Sequence, residues 1–214
     1  AEITHEFIRN NVKNHAYEPI IASGINNCVL HYIENDKKCN DGDLLLLDFG
    51  AEFQNYAADL SRTIPVNGKF TERQKEVYNS VLKIQKEAIS VMVKGKTINQ
   101  VNMVVASLME KELVKLGLLK KEDVENQKED EPLYKKYYMH GTSHFIGLDV
   151  HDVGTKDTVF EPGMILSCEP GIYIPDENFG IRIENDILIT EVGNIDLMAD
   201  FPVEIDEIEK LMMK

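Results

Sequence analysis

The most apolar strand-like runs of this chain each carry a carboxylate, and that pairing limits how it can fold. Residues 44–47 are four leucines that run into Asp48-Phe49-Gly50. The return run 57–66 holds Asp59, residues 164–168 run into Glu169, and the alternating run 181–189 holds Glu184. Burying one unpaired carboxylate costs at least several kcal/mol in practice. Four of them aimed into one space would repel and take up protons unless cations neutralise them. Between the two pairs lies 140–152, where His140, His144 and His151 fall within twelve residues and two glycines argue against a regular helix.

Taken in order, residues 1–14 place Ile3, Phe7, Ile8 and Val12 at roughly helical spacing, with no capping residue before Ala1 and no initiator Met. The expectation is that the sequence is part of a longer one. Residues 19–32 read as a β-rich run broken by Ser-Gly and Asn-Asn, and 34–43 as a polar loop. The run 44–47 has the pattern of a strand buried on both faces, and its short polar connection to 57–66 predicts an antiparallel hairpin. Thr71 with Gln74, and Thr97 with Gln100, are capping boxes that open two amphipathic helices, the second ending near Gly117. Residues 120–136 are charged and aperiodic, which predicts a loop. The tail from Asp200 is amphipathic at most.

Composition narrows the function classes. The chain has 214 residues, 23 Lys and Arg against 37 Asp and Glu, and a formal charge of −14, so it lacks the basic face that nucleic acid requires. It holds no apolar run long enough to span a membrane and opens with no signal peptide. Its three cysteines are too few for a disulfide framework, which makes a reducing, cytoplasmic setting the default.

Each acid alone has a plain alternative. Asp48 could open a turn, Asp59 pair with Arg62, Glu169 mark a strand end reaching solvent, and Glu184 lie on an exposed edge beside Arg182 and Asp186. Together, with one imidazole from 140–152, they offer five ligands. That set suits two bridged divalent ions, manganese by its oxygen-rich character, with zinc, cobalt or iron open. His31, inside Val-Leu-His-Tyr, reads on its own as a core histidine, and Cys168 as a small buried hydrophobe. His5 and His15 receive no role.

An ordered set of motifs carries a family resemblance across nearly the whole chain: Ile21-Ala-Ser-Gly-Ile-Asn-Asn-Cys-Val-Leu-His31-Tyr, Leu47-Asp48-Phe-Gly-Ala, Ala58-Asp59-Leu-Ser-Arg-Thr, His140-Gly-Thr-Ser-His144-Phe-Ile-Gly-Leu-Asp-Val-His151-Asp, Cys168-Glu169-Pro-Gly-Ile-Tyr173 and Gly180-Ile-Arg182-Ile-Glu184-Asn. The chain resembles the pita-bread metallopeptidases, and within them the Xaa-Pro aminopeptidases and prolidases. The resemblance implies an α+β fold, a curved antiparallel sheet flanked by helices, with 1–214 forming a catalytic domain that lacks its first helix and an upstream domain. It implies that Asp59 and Glu184 bridge two cations, that Asp48 holds one, and that His144 with Glu169 holds the other. His31, His140 and His151 would line the substrate site, with Tyr173 and Arg182 close to the ligands. The implied substrate is a peptide with proline second, and the implied assembly a homo-oligomer. The alternatives are a dipeptide-restricted prolidase and a pita-bread binding module without catalysis; a metal-free amidinohydrolase (creatinase-like) would not need these carboxylates.

Overall fold

The computed structural model describes residues 1–213. Helix α1 (Glu2–Arg9) leads into strand β1 (Asn14–His15) and strand β2 (Ile20–Ser23). The expected hairpin follows as β3 (Leu44–Asp48) and β6 (Ser61–Pro65), carrying at its tip the short strands β4 (Ala51–Phe53) and β5 (Tyr56–Ala57). Helices α2 (Glu72–Val91) and α3 (Ile98–Lys115) come next, then α4 (Lys121–Glu125). The remaining elements are β7 (Phe145–Ile146), β8 (Ile165–Cys168), β9 (Gly171–Ile174), β10 (Phe179–Arg182), β11 (Asn185–Thr190), β12 (Gly193–Asp196) and α5 (Ile205–Met212). Every strand pair is antiparallel, in sheets ordered β1-β4-β5, β2-β3-β6, β10-β9 and β12-β11-β8-β7.

Both capping boxes form as expected. Thr71 accepts from the Gln74 amide and Thr97 from the Gln100 amide, each glutamine side chain accepting in return. Such a cap contributes about 1 kcal/mol to the start of a helix. Val77, Val81, Ile84 and Ala88 turn the fully buried face of α2 toward α3 and toward β8, β9 and β10. Helix packing on one face of the strands leaves the opposite face to the functional side chains.

Five expectations need correction. The break expected at Ser23-Gly24 is present, but beyond it the run does not resume a strand, because Gly24–Cys28 coils into a 3-10 turn. Gly24 sits at φ +58°, and the Asn27 amide donates to the carbonyls of Leu44 and Gly180, capturing acceptors that a further strand would use. The leucine run is not buried on both faces, since Leu44 and Leu46 are buried while Leu45 and Leu47 are half-exposed. The alternating run 181–189 is two strands in two sheets. It breaks at Ile183-Glu184, where these amides donate to Pro170 and Ser61 and the chain crosses from one sheet to the next. Finally, the tail forms α5, which buries Ile205 and Ile208. The supposed loop 120–136 also contains α4 and a 3-10 turn, Leu133–Lys136.

Candidate metal centre

Two strand pairs meet end to end and present their acids to each other. In the first, Asp48 lies opposite Ser61, with Asp59 two residues before it. In the second, Cys168 lies opposite Asn185, which places Glu169 just beyond one strand and Glu184 just before the other. The Glu184 amide donates to the Ser61 carbonyl at 3.1 Å and stitches the two ends together. The Ser61 hydroxyl donates to Glu184 Oε2 at 2.6 Å and accepts from Arg182 Nε at 3.0 Å. The Asp59 amide donates to the Asp186 carboxylate at 3.1 Å, fixing the backbone that carries Asp59.

The histidine segment is folded onto these ends by its own glycines and by Asp152. The Asp152 carboxylate accepts from the amides of Leu148 and Val153, and a Cβ at Gly147 would lie 1.8 Å from it. The amide of Thr142 donates to Asn102 of α3, and that of His144 to Ser167 of β8. His144 then directs Nε2 to within 3.3 Å of Asp59 and 3.5 Å of Glu169. Its Nδ1 lies 3.1 Å from the Phe145 carbonyl, so the neutral ring donates there and turns a lone pair toward the carboxylates.

Asp59, His144 and Glu184 each offer a ligand atom, and these atoms lie within 4.8 Å of one another. Asp48 and Glu169 flank this group in one cavity of about 540 Å³, which His31, His140, His151 and Arg182 also line. Nine of the ten residues singled out in the sequence therefore face a common space. The exception is Tyr173, fully buried and absent from the lining. Its hydroxyl lies behind the wall, 2.8 Å from His140 Nε2 and 2.9 Å from Arg182 Nη1, so it supports those two side chains from behind. His31 is exposed to the cavity and is not a core residue. Asp59 does not pair with Arg62, which donates instead to the carbonyls of Ser61, Glu184 and Pro202. Glu184, at 1% exposure, is not on a solvated edge.

The electrostatics match a cation site. Burial, then the charges of Asp59, Glu169 and Asp48, push the Glu184 carboxyl well above its usual range. Its Oε1 is buried without a partner. Burial also raises Glu169 to about 7, against the lowering pull of His144 and Arg182. Asp186 rises to about 7, chiefly by burial. Burial alone would lower His144, but the Asp59 hydrogen bond and the Glu169 charge outweigh it and hold the ring at about 8. An orphaned carboxylate oxygen and an imidazole lone pair aimed at two acids need protons or a metal between them. Oxygen donors with one nitrogen fit divalent ions.

A pH dependence follows for the metal-free protein. Glu169 and Asp186 bind protons more tightly folded than unfolded, so their contribution falls as pH rises from their ordinary values of 4.5 and 3.8 through about 7. His144 acts in the same direction, its contribution complete below 6.5 and lost through about 8. His140 and His151, lowered by burial, oppose this below their ordinary value of 6.5, so the melting temperature of metal-free protein should fall chiefly from about pH 6.5 to about pH 8, on the order of 5 °C. Excess Mn²⁺ should reverse the trend, because ligands bind metal deprotonated. A flat metal-free profile in calorimetry would contradict this electrostatic picture.

Three contributors escaped the sequence reading. Ser61 lies two residues after Asp59, where β6 begins, and that spacing was legible. Asp186 was visible only as a reason to think Glu184 exposed. Tyr17, whose hydroxyl lies 2.5 Å from Asp48 Oδ1 and also contacts Asp59 Oδ1, sits in an irregular segment with no periodicity to flag it.

Paired antiparallel ends thus bring four acids and a histidine to one cavity, a donor set that fits divalent cations. Residues 1–191 match the profile of metallopeptidase family M24, and the chain belongs to that family. It is 47% identical to Xaa-Pro aminopeptidase of Haemophilus influenzae and 44% identical to that of Escherichia coli, covering 99% of this chain and 52% and 50% of those proteins. Xaa-Pro aminopeptidase 3 of Homo sapiens is 35% identical, over 92% of this chain and 40% of its own length. Zinc-substituted E. coli aminopeptidase P in complex with product superposes with a TM-score of 0.92 at 43% identity, over 99% of this chain and 50% of that one. The fold is the pita-bread fold of these structures. The chain spans about half the length of the curated relatives it matches.

Proposed function

We propose that this chain is the catalytic part of an aminopeptidase that cleaves between an N-terminal residue and a following proline. The observation that carries the reading is the convergence of Asp59, His144 and Glu184 within 4.8 Å, flanked by Asp48 and Glu169, in a member of family M24. In this reading Asp48, Asp59, His144, Glu169 and Glu184 hold two divalent cations, manganese first among the candidates by donor type. Bound there, such a pair supplies Lewis acidity to the scissile carbonyl and acidifies the attacking water.

The chain's own residues supply the proton handling and the shape. Glu169, titrating at about 7 in the metal-free site and with a fifth of its side chain open to the cavity, takes a proton from the attacking water and passes it to the leaving prolyl nitrogen. His140 is held in one tautomer. Arg182 donates to the Tyr173 hydroxyl, so that hydroxyl donates to His140 Nε2, and Nδ1–H donates to the Gly141 carbonyl at 2.8 Å. Burial and Arg182 lower this imidazole to about 4, so near neutral pH it is an uncharged wall. Ile20, Leu30 and Val150 line the same cavity and offer apolar surface for a proline ring. His151, its ring centre 4.3 Å from that of His144 and its pKa lowered by burial and by His144, stays neutral and donates to the developing oxyanion.

His151→Ala is accordingly expected to lower kcat by about a hundredfold with metal content unchanged. Unaltered turnover would remove His151 from the site. The wider reading adds a cytoplasmic, homo-oligomeric enzyme. Three free cysteines, and no helix among the described residues long and apolar enough to cross a membrane, are compatible with that setting. The function is tested with Mn²⁺-loaded full-length protein on an X-Pro-Y tripeptide and an X-Pro dipeptide. Release of X from the tripeptide supports the aminopeptidase. Cleavage of the dipeptide alone would make the protein a prolidase, and cleavage of neither would leave a binding module.

A further inference from the structure

We infer that Tyr17 is a positioning residue of the cation centre: its phenol sets the spacing of Asp48 and Asp59 so that the two cation positions fill together. The inference rests on the reading of those two aspartates as ligands. Its geometric basis is independent of any metal. The Tyr17 hydroxyl contacts Oδ1 of both Asp48 and Asp59, residues on opposite arms of the β3–β6 hairpin, and it is the single side-chain atom that bridges them among the described residues.

The backbone is arranged to deliver it there. His15 pairs with Ala51, the Ala16 amide donates to Gly50 at 2.9 Å, and Ile20 pairs with Asp48. Residues 17–19 therefore pass directly over the Asp48-Phe49-Gly50 corner. Gly50 makes room for this: a Cβ there would lie 1.6 Å from the Ala58 carbonyl oxygen and 3.1 Å from Tyr17 Cε1. The corner glycine thus admits both the returning strand and the tyrosine ring. Arg182 grips the other oxygen of Asp48, so Asp48 is held from two sides while Asp59 is tied to it only through the phenol.

With its hydroxyl committed to the aspartates, Tyr17 presents only its ring to the cavity that it lines. Its predicted role is thus in metal retention, with substrate contact secondary. Loss of a partner that orients ligands typically costs ten- to a hundredfold in metal affinity.

The test compares full-length parent and Tyr17→Phe by calorimetric titration with Mn²⁺, by metal-free melting temperature, and by kcat and KM on an X-Pro-Y peptide across Mn²⁺ concentrations. The expected result is Mn²⁺ affinity weakened about ten- to a hundredfold at both positions, a metal-free melt lowered by no more than a few degrees, and kcat restored by saturating Mn²⁺. Unchanged Mn²⁺ affinity with a raised KM would overturn the inference, because the hydroxyl would then serve substrate. Should Tyr17→Phe melt early, Tyr17→Met, which keeps bulk without a hydroxyl, repeats the titration. A parent that binds two Mn²⁺ without cleaving the peptide would refute the proposed activity and leave the affinity comparison intact; a parent that binds none would refute both.

Discussion

Asp59→Asn is expected to lower occupancy at both cation positions and to reduce turnover by about a thousandfold, the several kcal/mol of transition-state stabilisation that a metal centre contributes. Asp59 is the hub of the acid cluster. It lies 3.3 Å from His144 Nε2, belongs to the three-residue group with His144 and Glu184, contacts the Tyr17 hydroxyl, and has its amide anchored on Asp186. Asparagine keeps the shape and removes the charge. The metal-free fold should not suffer, because Asp59 is among the charges that push Glu169 and Glu184 up. A retained or raised metal-free melting temperature alongside lost metal separates this outcome from simple unfolding. Elemental analysis still finding two equivalents in Asp59→Asn would contradict a bridging role.

Arg182→Met is expected to destabilise the metal-free protein by about 3–5 kcal/mol, the usual result of leaving a buried charge without its partner. Arg182, at 4% exposure, is a buried cation that donates to Asp48 Oδ2, the Tyr173 hydroxyl and Ser61 Oγ. Burial disfavours its charge, but Tyr173 and the carboxylates of Asp48, Glu184 and Glu169 more than offset this and hold it charged. Methionine fills similar volume with no donor. For a chain of this length the melting temperature should drop by roughly 10 °C, and by less with Mn²⁺, because bound cations supply part of the missing positive charge. Scanning calorimetry with and without Mn²⁺ measures both. Equal losses under the two conditions would mean that Arg182 acts on the fold alone. Lysine should rescue poorly, because one ammonium cannot replace a planar fork that reaches three acceptors at once.

Much of the site was legible because acids in apolar strands are costly and therefore informative. Asp48, Asp59, Glu169 and Glu184 stood out by position alone, and the motifs around them carried the family resemblance. The hairpin of β3 and β6 and the two capped helices followed from turn length and capping residues, both local signals. What could not be read depended on contacts between distant segments. The run after Ser23 became a 3-10 turn because Asn27 reaches carbonyls of Leu44 and Gly180. Alternation across 181–189 suggested one strand, but the backbone changes sheets at Glu184, placing that acid at the junction where Ser61 donates to it and Arg182 donates to Ser61. Tyr17 had no local mark at all. Its placement is set by pairing of β1 with β4 and of β2 with β3, and only the folded register brings its hydroxyl over two aspartates.

In the proposed centre, five side chains from five separated segments hold two cations side by side. Electron paramagnetic resonance of the full-length protein during Mn²⁺ titration addresses it most directly. Ions about 3.5–4 Å apart should give an exchange-coupled multiline spectrum that completes at two equivalents per chain and is lost in Asp59→Asn. A six-line spectrum of isolated Mn²⁺, saturating at one equivalent or growing without a coupled signal, would contradict the account.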